Sequence, residues 1–267
     1  MSDLKSVLEA KSLFASYGKK QVLGGLDLTL SGGKFICLCG PNGCGKSTLI
    51  SLLAGIHSEY LKYRGQIIID SKDIGKFKRK ELARKIAFMP QSESSPWNYQ
   101  VKDVILSGRF AHTGFSGIYH QRDYQIAEDV AEIMGINHLK ERFVFSLSGG
   151  EFQRVRIARS LAQQAEILLL DEPAANLDFT HRFDLLKLVK KLVQEKNIAV
   201  LVSIHDLNMA AVFADEMFLL SHFAEGQLQM QSGEPKNIMQ PEILQRTYGK
   251  KFSLFQHPLY NVPQVYL

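Results

Sequence analysis

Long apolar segments are missing from this sequence of 267 residues. A helix that crosses a membrane needs about 20 consecutive apolar residues, whereas the run ILLL at 167–170 has four. The first residues, MSDLKSVLEAKSL, are charged and lack the apolar core and cleavage site of an export signal. We therefore expect a cytosolic chain that has no membrane span of its own.

Cysteine is also scarce, with three residues in the whole chain. An odd number without signs of secretion argues against a disulfide framework. Cys37 and Cys39 alternate on an apparent strand, and we expect them to face opposite sides of the sheet. This placement makes a metal site at the two thiols an unfavoured interpretation.

Charge of one sign is not concentrated in any part of the chain. The 32 Lys and Arg residues against 27 Asp and Glu residues give a net charge of +5. This excess suits a polyphosphate ligand or an anionic membrane surface, but scattered solvated lysines are the favoured interpretation. No Lys/Arg run is long enough for a nucleic-acid-binding arm, so we expect no nucleic-acid partner.

The chain does contain short apolar runs that alternate with helical patterns. The runs are FICLC at 35–39, KIAFMP at 85–90, EILLLDE at 166–172, IAVLVSIH at 198–205 and EMFLLS at 216–221. Such alternation predicts a parallel sheet wrapped by helices, here at about 46–55, at about 180–195 and from 206. Residues 7–39 are expected to form largely antiparallel strands, and the region from about 92 to 162 a helical insertion.

One stretch matches the phosphate-binding pattern G-x-x-x-x-G-K-[ST]. It runs Gly40-Pro41-Asn42-Gly43-Cys44-Gly45-Lys46-Ser47, and Thr48 follows it. The glycines allow backbone N–H groups to wrap a phosphate, while Lys46 reaches the terminal phosphates and the Ser47 hydroxyl can bind Mg²⁺. Because the loop follows an apolar strand and precedes a helix, we predict a site for a nucleoside triphosphate.

Cys44 lies inside this loop, beside the predicted N-terminus of a helix. A helix N-terminus can lower the pKa of a thiol. We hypothesise that a thiol reagent inactivates the protein and that ATP protects it. The alternative is that Cys44 is only a tolerated small residue.

Two carboxylates follow the apolar run at 167–170. A buried strand would deliver Asp171 and Glu172 at its C-terminal end, where α/β folds place ligands. Asp171 is predicted to hold Mg²⁺, directly or through water, and Glu172 to orient and deprotonate an attacking water. The alternative, a carboxylate pair that only caps a helix, is disfavoured by the phosphate loop in the same chain.

Three further side chains are candidates for the same site. Gln91 ends the run KIAFMP and is predicted to touch Mg²⁺ or the attacking water. His205 ends IAVLVSIH and is predicted to contact the γ-phosphate, although a lone histidine is more often structural. Tyr17 precedes a glycine and is predicted to stack on adenine, with a core tyrosine as the alternative.

A second phosphate-binding turn is predicted within FSLSGGEFQR at 145–154. Ser148, Gly149 and Gly150 open a helix there. The first N–H groups of a helix lack partners within the helix and favour an anion. The sequence alone does not say whose phosphate this turn would hold.

The order of these motifs resembles that of the nucleotide-binding subunits of ABC transporters, and the resemblance covers about residues 7–249. LSGG with its helix, LLLDEP, AANLD and IHDLN are its most specific parts. The resemblance implies one domain with a P-loop NTPase (RecA-like) parallel-sheet core, an N-terminal antiparallel β subdomain and an inserted α-helical subdomain. The core would comprise 1–91 and 163–249 and the insertion 92–162, while the tail at 250–267 has no assigned role.

Roles and partners also follow from this resemblance. It makes Tyr17 the adenine-stacking aromatic, Gln91 the Q-loop glutamine, Asp178 the D-loop aspartate and His205 the switch histidine. Two copies would bind ATP between them head to tail, so the turn opened by Ser148 would serve the nucleotide of the partner chain. ATP can favour such closure only if it binds the closed pair better than the open one.

The resemblance further implies membrane partners. Separate permease subunits would hold the protein at the cytoplasmic face of the inner membrane, and a substrate-binding protein would act through them. Trp97, Tyr99 and Phe110 are candidate docking residues. The alternative for these aromatics is that they fill the helical subdomain.

Within the family, the chain is most similar to the ATPases of iron-siderophore, haem and vitamin B12 importers. The stretches that carry this similarity are FMPQSESSPWNYQVKDVILSGRFAHTG, LDFTHRFDLL and PEILQRTYG. Glu151 replaces the commoner glutamine after LSGG, and Ala174 stands where Thr or Ser often follows DEP. Neither departure removes a chemical group that ATP hydrolysis needs, so we expect an ATPase that powers import.

Two alternatives belong to other classes. A non-transport ABC ATPase, for example of the iron–sulfur assembly type, would have the same motifs but no permease. A kinase or GTPase could use the same phosphate loop, but LSGG and His205 would then be unexplained.

Overall fold

The computed structural model describes residues 6–93, 98–114, 116–175, 177–222 and 228–266. The strands are β1 Ser6–Tyr17, β2 Lys20–Ser31, β3 Phe35–Cys39, β4 Leu61–Ile69, β5 Lys72–Asp73, β6 Ile86–Met89, β7 Ile167–Leu170, β8 Ala199–Ser203, β9 Glu216–His222, β10 Leu228–Gly233, β11 Ser253–Gln256 and β12 Pro263–Tyr266. The α-helices are α1 Lys46–Leu53, α2 Arg79–Lys85, α3 Val101–Ser107, α4 Gln121–Ile133, α5 Gly149–Ala162, α6 Phe179–Lys196, α7 Leu207–Phe213, α8 Pro235–Ile238 and α9 Pro241–Tyr248. Nowhere in these ranges is a helix long and apolar enough to cross a membrane.

The central sheet has six strands in the order β10-β9-β3-β8-β7-β6. The ladders from β9 to β6 are parallel, and β10 pairs antiparallel with β9 at the edge. Every residue of β3, β7 and β8 is buried, because helices or the second sheet cover both faces of the central strands. The five apolar runs of the sequence are confirmed as strands of this sheet.

A smaller antiparallel sheet has the strand order β2-β1-β4-β5. The strands β1 and β2 pair along their whole length, from Ser6 opposite Ser31 to Tyr17 opposite Lys20. The predicted fold class is therefore confirmed: a parallel core sheet, an N-terminal antiparallel sheet, and the helices α3, α4 and α5 inserted between β6 and β7. The residue numbers at which this insertion was predicted to begin and end stay a prediction.

Two apolar cores lie on the two faces of the central sheet. Cys37 and Cys39 belong to the core that also contains α3, α4 and α5, whereas Ile36 and Leu38 belong to the core beneath the antiparallel sheet. The expectation that the two cysteines face opposite sides was therefore wrong. Residues two apart in a strand lie on the same face, because side chains alternate with a period of two.

The inserted helices are anchored by buried polar contacts. The Arg109 guanidinium donates to Asp123 Oδ1 over 2.9 Å and to the carbonyl of Ala162 over 2.8 Å, so it links α4 to the end of α5. Gln163 donates its amide to the carbonyls of Ala83 and Ile86, the latter over 2.6 Å. The C-terminal end of α5 is thus fixed to α2 and to the start of β6.

The tail forms a β-hairpin of β11 and β12 that packs on α7. The Asn208 side chain pairs with the backbone of Val265: Val265 N donates to Oδ1 over 2.7 Å, and Nδ2 donates to the Val265 carbonyl over 3.1 Å. The tail, to which the sequence assigned no role, therefore packs on the core through short strands.

Candidate functional site

The predicted site residues follow the C-terminal ends of neighbouring parallel strands. Gly40 follows β3, Gln91 lies two residues beyond β6, Asp171 follows β7, and His205 lies two residues beyond β8. The ladders continue past the strand ends, since Asp171 N donates to Met89 O over 2.9 Å and Ile204 N to Leu38 O over 3.0 Å. One edge of the sheet therefore collects all four segments.

The phosphate loop joins β3 to α1. Its first glycine, Gly40, has a φ of +147°, and a Cβ there would lie 2.3 Å from the carbonyl oxygen of Leu220, so only glycine fits. Gly45, at the N-cap of α1, has a φ of +99°. It leaves the first N–H groups of that helix without a side-chain cap, which is the geometry that favours an anion.

Lys46 is buried, and its ammonium group folds back over this loop. It donates to the carbonyls of Gly40 and Pro41 over 2.9 and 3.0 Å. Ser47 is exposed and Thr48 half-buried at the first turn of α1. The loop thus presents one cation and several N–H donors around a single small space.

Cys44 differs from its prediction. The residue is buried, and burial raises the pKa of its thiol, an effect that Lys46 offsets only in part. The expectation that the helix N-terminus lowers this pKa was wrong, because loss of hydration outweighs the helix contribution at this position. A thiol that stays protonated is a poor nucleophile, so the structure does not support a reactive Cys44.

Glu172 lies at the centre of the site. Its Oε1 contacts His205 Nε2 at 2.5 Å, and its Oε2 accepts a hydrogen bond from Gln91 Nε2 at 2.8 Å. The three residues predicted to carry the chemistry thus meet at one carboxylate. Gln91 and His205 follow β6 and β8, the two strands that flank β7.

The backbone of Glu172 is strained. Its φ of +50° lies in the left-handed region, which a non-glycine residue adopts at a cost of about 1–3 kcal/mol. Ser203 holds this turn, since Glu172 N donates to Ser203 Oγ over 2.8 Å and the same hydroxyl donates to Asp171 Oδ1 over 2.6 Å. One buried serine therefore binds both the Asp171 carboxylate and the Glu172 backbone.

Ser203 was not predicted as a site residue from the sequence. The only signal was a single polar residue near the end of the apolar run IAVLVSIH, two positions before the histidine. A serine in that position has many structural explanations, and its partners come from β7, which is distant in sequence.

Asp171 is buried, and it is suited to a magnesium ion. In nucleotide sites Mg²⁺ is held by one or two carboxylates together with phosphate oxygens. The Asp171 carboxylate and the exposed Ser47 hydroxyl supply such hard oxygen donors. The side chains at this edge therefore fit the ion that the sequence predicts.

The LSGG turn opens α5, as predicted. Ser148 is the N-cap and forms a capping box with Glu151: Glu151 N donates to Ser148 Oγ over 3.3 Å, while Ser148 N and Oγ donate to Glu151 Oε2 over 2.7 and 2.8 Å. These hydrogen bonds lower the pKa of the Glu151 carboxyl. Ser148 and Gly149 are exposed and Gly150 half-buried, so the turn faces outward.

The two remaining candidates are Asp178 and Tyr17, and both are exposed. Asp178 is the exposed N-cap of α6; it accepts from His181 N over 2.9 Å and contacts the His181 ring at 2.6 Å, which together lower its pKa. Tyr17 ends β1 with 42% of its surface exposed, which favours ligand stacking over the core alternative.

The docking candidates fall into two groups. Tyr99 and Phe110 are exposed by 49% and 56%, so they do not fill the interior of the helical insertion. Trp97 lies outside the described residues.

The parallel sheet, the phosphate loop and the carboxylate pair define an ATPase of the P-loop class. A family model described as ABC transporter matches residues 23–175. The chain therefore belongs to the ABC transporter family and is an ATP-binding ATPase of that family.

Relatives match the chain over nearly its whole length. The ferric enterobactin transport ATP-binding protein FepC of Escherichia coli is 34% identical over 99% of this chain and 95% of its own length. The hemin import ATP-binding protein HmuV of Bordetella pertussis is 36% identical over 94% of this chain and 95% of its own. A solved structure described as a putative metal-chelate type ABC transporter in an inward-facing conformation has a TM-score of 0.81 at 30% identity, covering 98% of both chains.

Loss of the Ser203 hydroxyl is expected to slow ATP turnover. In Ser203→Ala the Glu172 N–H loses its acceptor and the strained turn can relax. A small displacement of a reacting group costs up to about 10²-fold in rate, so we expect kcat to fall roughly ten- to hundredfold with little change in nucleotide affinity. Steady-state ATPase assays and equilibrium nucleotide binding measure the two effects.

Ser160→Ala is the matched control. Ser160 is also buried, but its hydroxyl donates to the carbonyl of Arg156 within α5, over 3.2 Å. Wild-type kcat in Ser203→Ala, or equal losses in both variants, would contradict the role given to Ser203.

Proposed function

We propose that this protein is the ATP-hydrolysing subunit of an ABC importer for metal chelates of the iron-siderophore, haem or cobalamin type. The observation that carries the ATPase part is the meeting of Gln91 and His205 at Glu172, beside the phosphate loop. The cargo class is supported by similarity to FepC and HmuV over at least 94% of the chain.

The phosphate loop binds the nucleotide. Backbone N–H groups of residues 42–48 and the Lys46 ammonium hold the β- and γ-phosphates, and Tyr17 stacks on the adenine. Lys46 then exchanges the carbonyls of Gly40 and Pro41 for phosphate oxygens. Asp171, Ser47 and Gln91 are the oxygen donors for Mg²⁺, which neutralises phosphate charge when it is bound.

Glu172 acts as the general base. In this structure Glu172 accepts a hydrogen bond from Gln91 and contacts His205. When ATP binds, Gln91 and His205 can contact the bound phosphate or metal ion in place of Glu172. Their departure leaves the Glu172 carboxylate free to take a proton from water.

Each ATP lies between two copies of the chain. Ser148, Gly149 and Gly150 face outward, so the phosphate they hold belongs to the partner chain, and Asp178 approaches the same interface. The bound γ-phosphate bridges the two copies and favours closure. Hydrolysis removes this bridging charge and permits reopening, which drives the attached membrane subunits.

The membrane subunits are separate permease chains, and a substrate-binding protein delivers the chelate to them. The protein then works at the cytoplasmic face of the inner membrane. The exposed aromatics Tyr99 and Phe110 on the inserted segment are candidate contacts for the permease.

The first test removes the general base. Glu172→Gln keeps the size of the side chain but cannot accept the proton, so ATP hydrolysis should slow by about 10²–10⁴-fold. ATP should remain bound, and the variant should dimerise in the presence of ATP because the bridging phosphate persists. Analytical ultracentrifugation and single-turnover hydrolysis measure both outcomes; near-wild-type turnover would place the base elsewhere.

A second test addresses the cross-chain site. Ser148→Arg should abolish turnover and leave nucleotide binding by an isolated chain intact. Lys46→Ala should also abolish turnover, by weakening the phosphate contacts. A mixture of the two variants should regain turnover, because one of the two sites in a mixed dimer then combines an intact phosphate loop with an intact LSGG turn.

The mixture also provides the contradicting outcome. If LSGG served the nucleotide of its own chain, every chain in the mixture would carry a defect at its single site and no turnover would return. Loss of nucleotide binding by monomeric Ser148→Arg would point the same way.

The cargo is tested in cells. Deletion of the gene should abolish uptake of a ferric siderophore, haem or cobalamin while uptake of amino acids and sugars continues, and the wild-type gene should restore it. An affinity-tagged chain should co-purify with a polytopic membrane protein. Purification without such a partner, together with unchanged uptake, would contradict the transport role.

A further inference from the structure

The segment that carries Gln91 is bound to α5 by a cluster of charges. Arg159 makes a two-pronged contact with Glu93, from one terminal guanidinium nitrogen to Oε1 over 2.6 Å and from the other to Oε2 over 2.7 Å. Arg156 approaches the same carboxylate, with Nε 3.5 Å from Oε2, and donates to the carbonyl of Pro90. Gln91 therefore lies between two anchoring points, Pro90 and Glu93.

The cluster is largely withdrawn from water. Arg156 is 3% exposed, and the side chains of Arg159 and Glu93 are 24% and 30% exposed. Although burial raises the pKa of Glu93, the hydrogen bonds and charges of the two arginines lower it overall, so the carboxylate is ionised at neutral pH. Charged partners in such surroundings bind more strongly than an exposed pair.

The position of the cluster along α5 matters as much as its strength. The far end of α5 is fixed by Gln163, which donates to Ile86 O over 2.6 Å, and by Arg109, which donates to Ala162 O over 2.8 Å. The near end carries Ser148, which is exposed. Arg156 lies between them, eight residues or roughly 12 Å from Ser148 at a helical rise of about 1.5 Å per residue.

The chain between Gln91 and Glu93 is short. Two residues span at most about 7 Å, so Gln91 cannot move far without pulling on Glu93. Gln91 has a partner to exchange, since its amide donates to Glu172 in this structure. A change of partner at Gln91 would therefore pull on Glu93, which is bound to the middle of α5 through Arg156 and Arg159.

We propose that Glu93 is a positioning residue that couples Gln91 to Ser148, so that nucleotide at the phosphate loop of a chain sets the orientation of that chain's own LSGG turn. The inference rests on the proposed head-to-tail dimer, in which this turn meets the nucleotide of the partner. ATP bound to one chain would thereby orient that chain's LSGG turn for the nucleotide of the partner chain. The coupling acts before the two chains touch, so it can be measured in the monomer.

The experiment uses full-length protein that carries Glu172→Gln, so that bound ATP persists. Glu93→Gln is added to remove the charge while keeping the shape. Three quantities are measured: ATP affinity at a protein concentration below dimerisation, the ATP-dependent dimerisation constant, and hydrogen exchange of residues 146–152 in the monomer with and without Mg-ATP.

With Glu93 intact, Mg-ATP should change exchange at 146–152 in the monomer. In the Glu93→Gln protein this change should disappear, while ATP affinity and protection of the phosphate loop stay the same. Dimerisation should weaken by about tenfold, within the 5- to 150-fold range of typical couplings between sites. If Glu93 only stabilised the fold, its loss would not abolish the exchange response of the LSGG turn while leaving the ATP affinity of the monomer unchanged.

Glu141→Gln is the matched control. Glu141 pairs with Lys102 over 2.5 Å on the same helical insertion, but both side chains are exposed and neither touches residues 90–93. This variant should behave as the parent. Glu93→Asp retains the charge on a shorter side chain and should restore part of the coupling. If Glu93→Gln lowers thermal stability, Glu93→Asp is the variant that is compared with the parent.

The outcomes separate the inference from the proposed function. If the Glu172→Gln parent fails to dimerise on ATP, the head-to-tail proposal fails. If the parent dimerises and Glu93→Gln matches it in dimerisation and in exchange at 146–152, the coupling role of Glu93 is wrong. Loss of ATP binding by monomeric Glu93→Gln would likewise overturn it, because the residue would then act on the phosphate loop itself.

Discussion

The ends of β6, β7, β8 and β3 lie side by side because their ladders are parallel and each strand is paired with the next in register. Segments up to 165 residues apart in sequence, from Gly40 to His205, therefore reach one edge of the sheet. The pairing of the strands is enough to bring them together. The edge has a further requirement, since the chain must turn sharply after β7 to aim Glu172 along it. Ser203 meets this requirement from the neighbouring strand, with a single hydroxyl that accepts from the Glu172 backbone N–H and donates to the Asp171 carboxylate.

Three of the functional side chains share a second property, since they already have partners within the chain. Lys46 binds the loop carbonyls, Glu172 accepts from Gln91 and contacts His205, and Ser148 donates to Glu151. A hydrogen bond to a charged group contributes about 1.5–3 kcal/mol, so a ligand must replace these contacts with better ones. A charged ligand can do so more readily than a neutral one, because ionised groups form the stronger hydrogen bonds.

Much of this arrangement could be predicted from sequence, because its signals are local. The phosphate loop is contiguous, and buried strands appear as apolar runs that end in polar residues, which placed Lys46 and Glu172 correctly. Ser203 and Glu93 could not be found in this way, since each is a single polar residue whose partners come from distant segments. Cys44 shows a different limit: its neighbours in sequence favour a low pKa, but three-dimensional burial raises it. Local pattern predicts elements and their ends, while hydration and cross-strand partners need the folded chain.

Helix α5 shows why such distant partners matter for function. Its first turn presents Ser148, its middle binds the segment that carries Gln91 through Arg156 and Arg159, and its last turn is fixed to the core through Gln163. If α5 were fixed only at its C-terminal end, the LSGG turn would not respond to a nucleotide bound to its own chain. A helix tied along its whole length could not respond either. The charged contact at Glu93 lies between these extremes: under the proposed coupling, a shift of Gln91 acts on the middle of α5 and is enlarged towards Ser148.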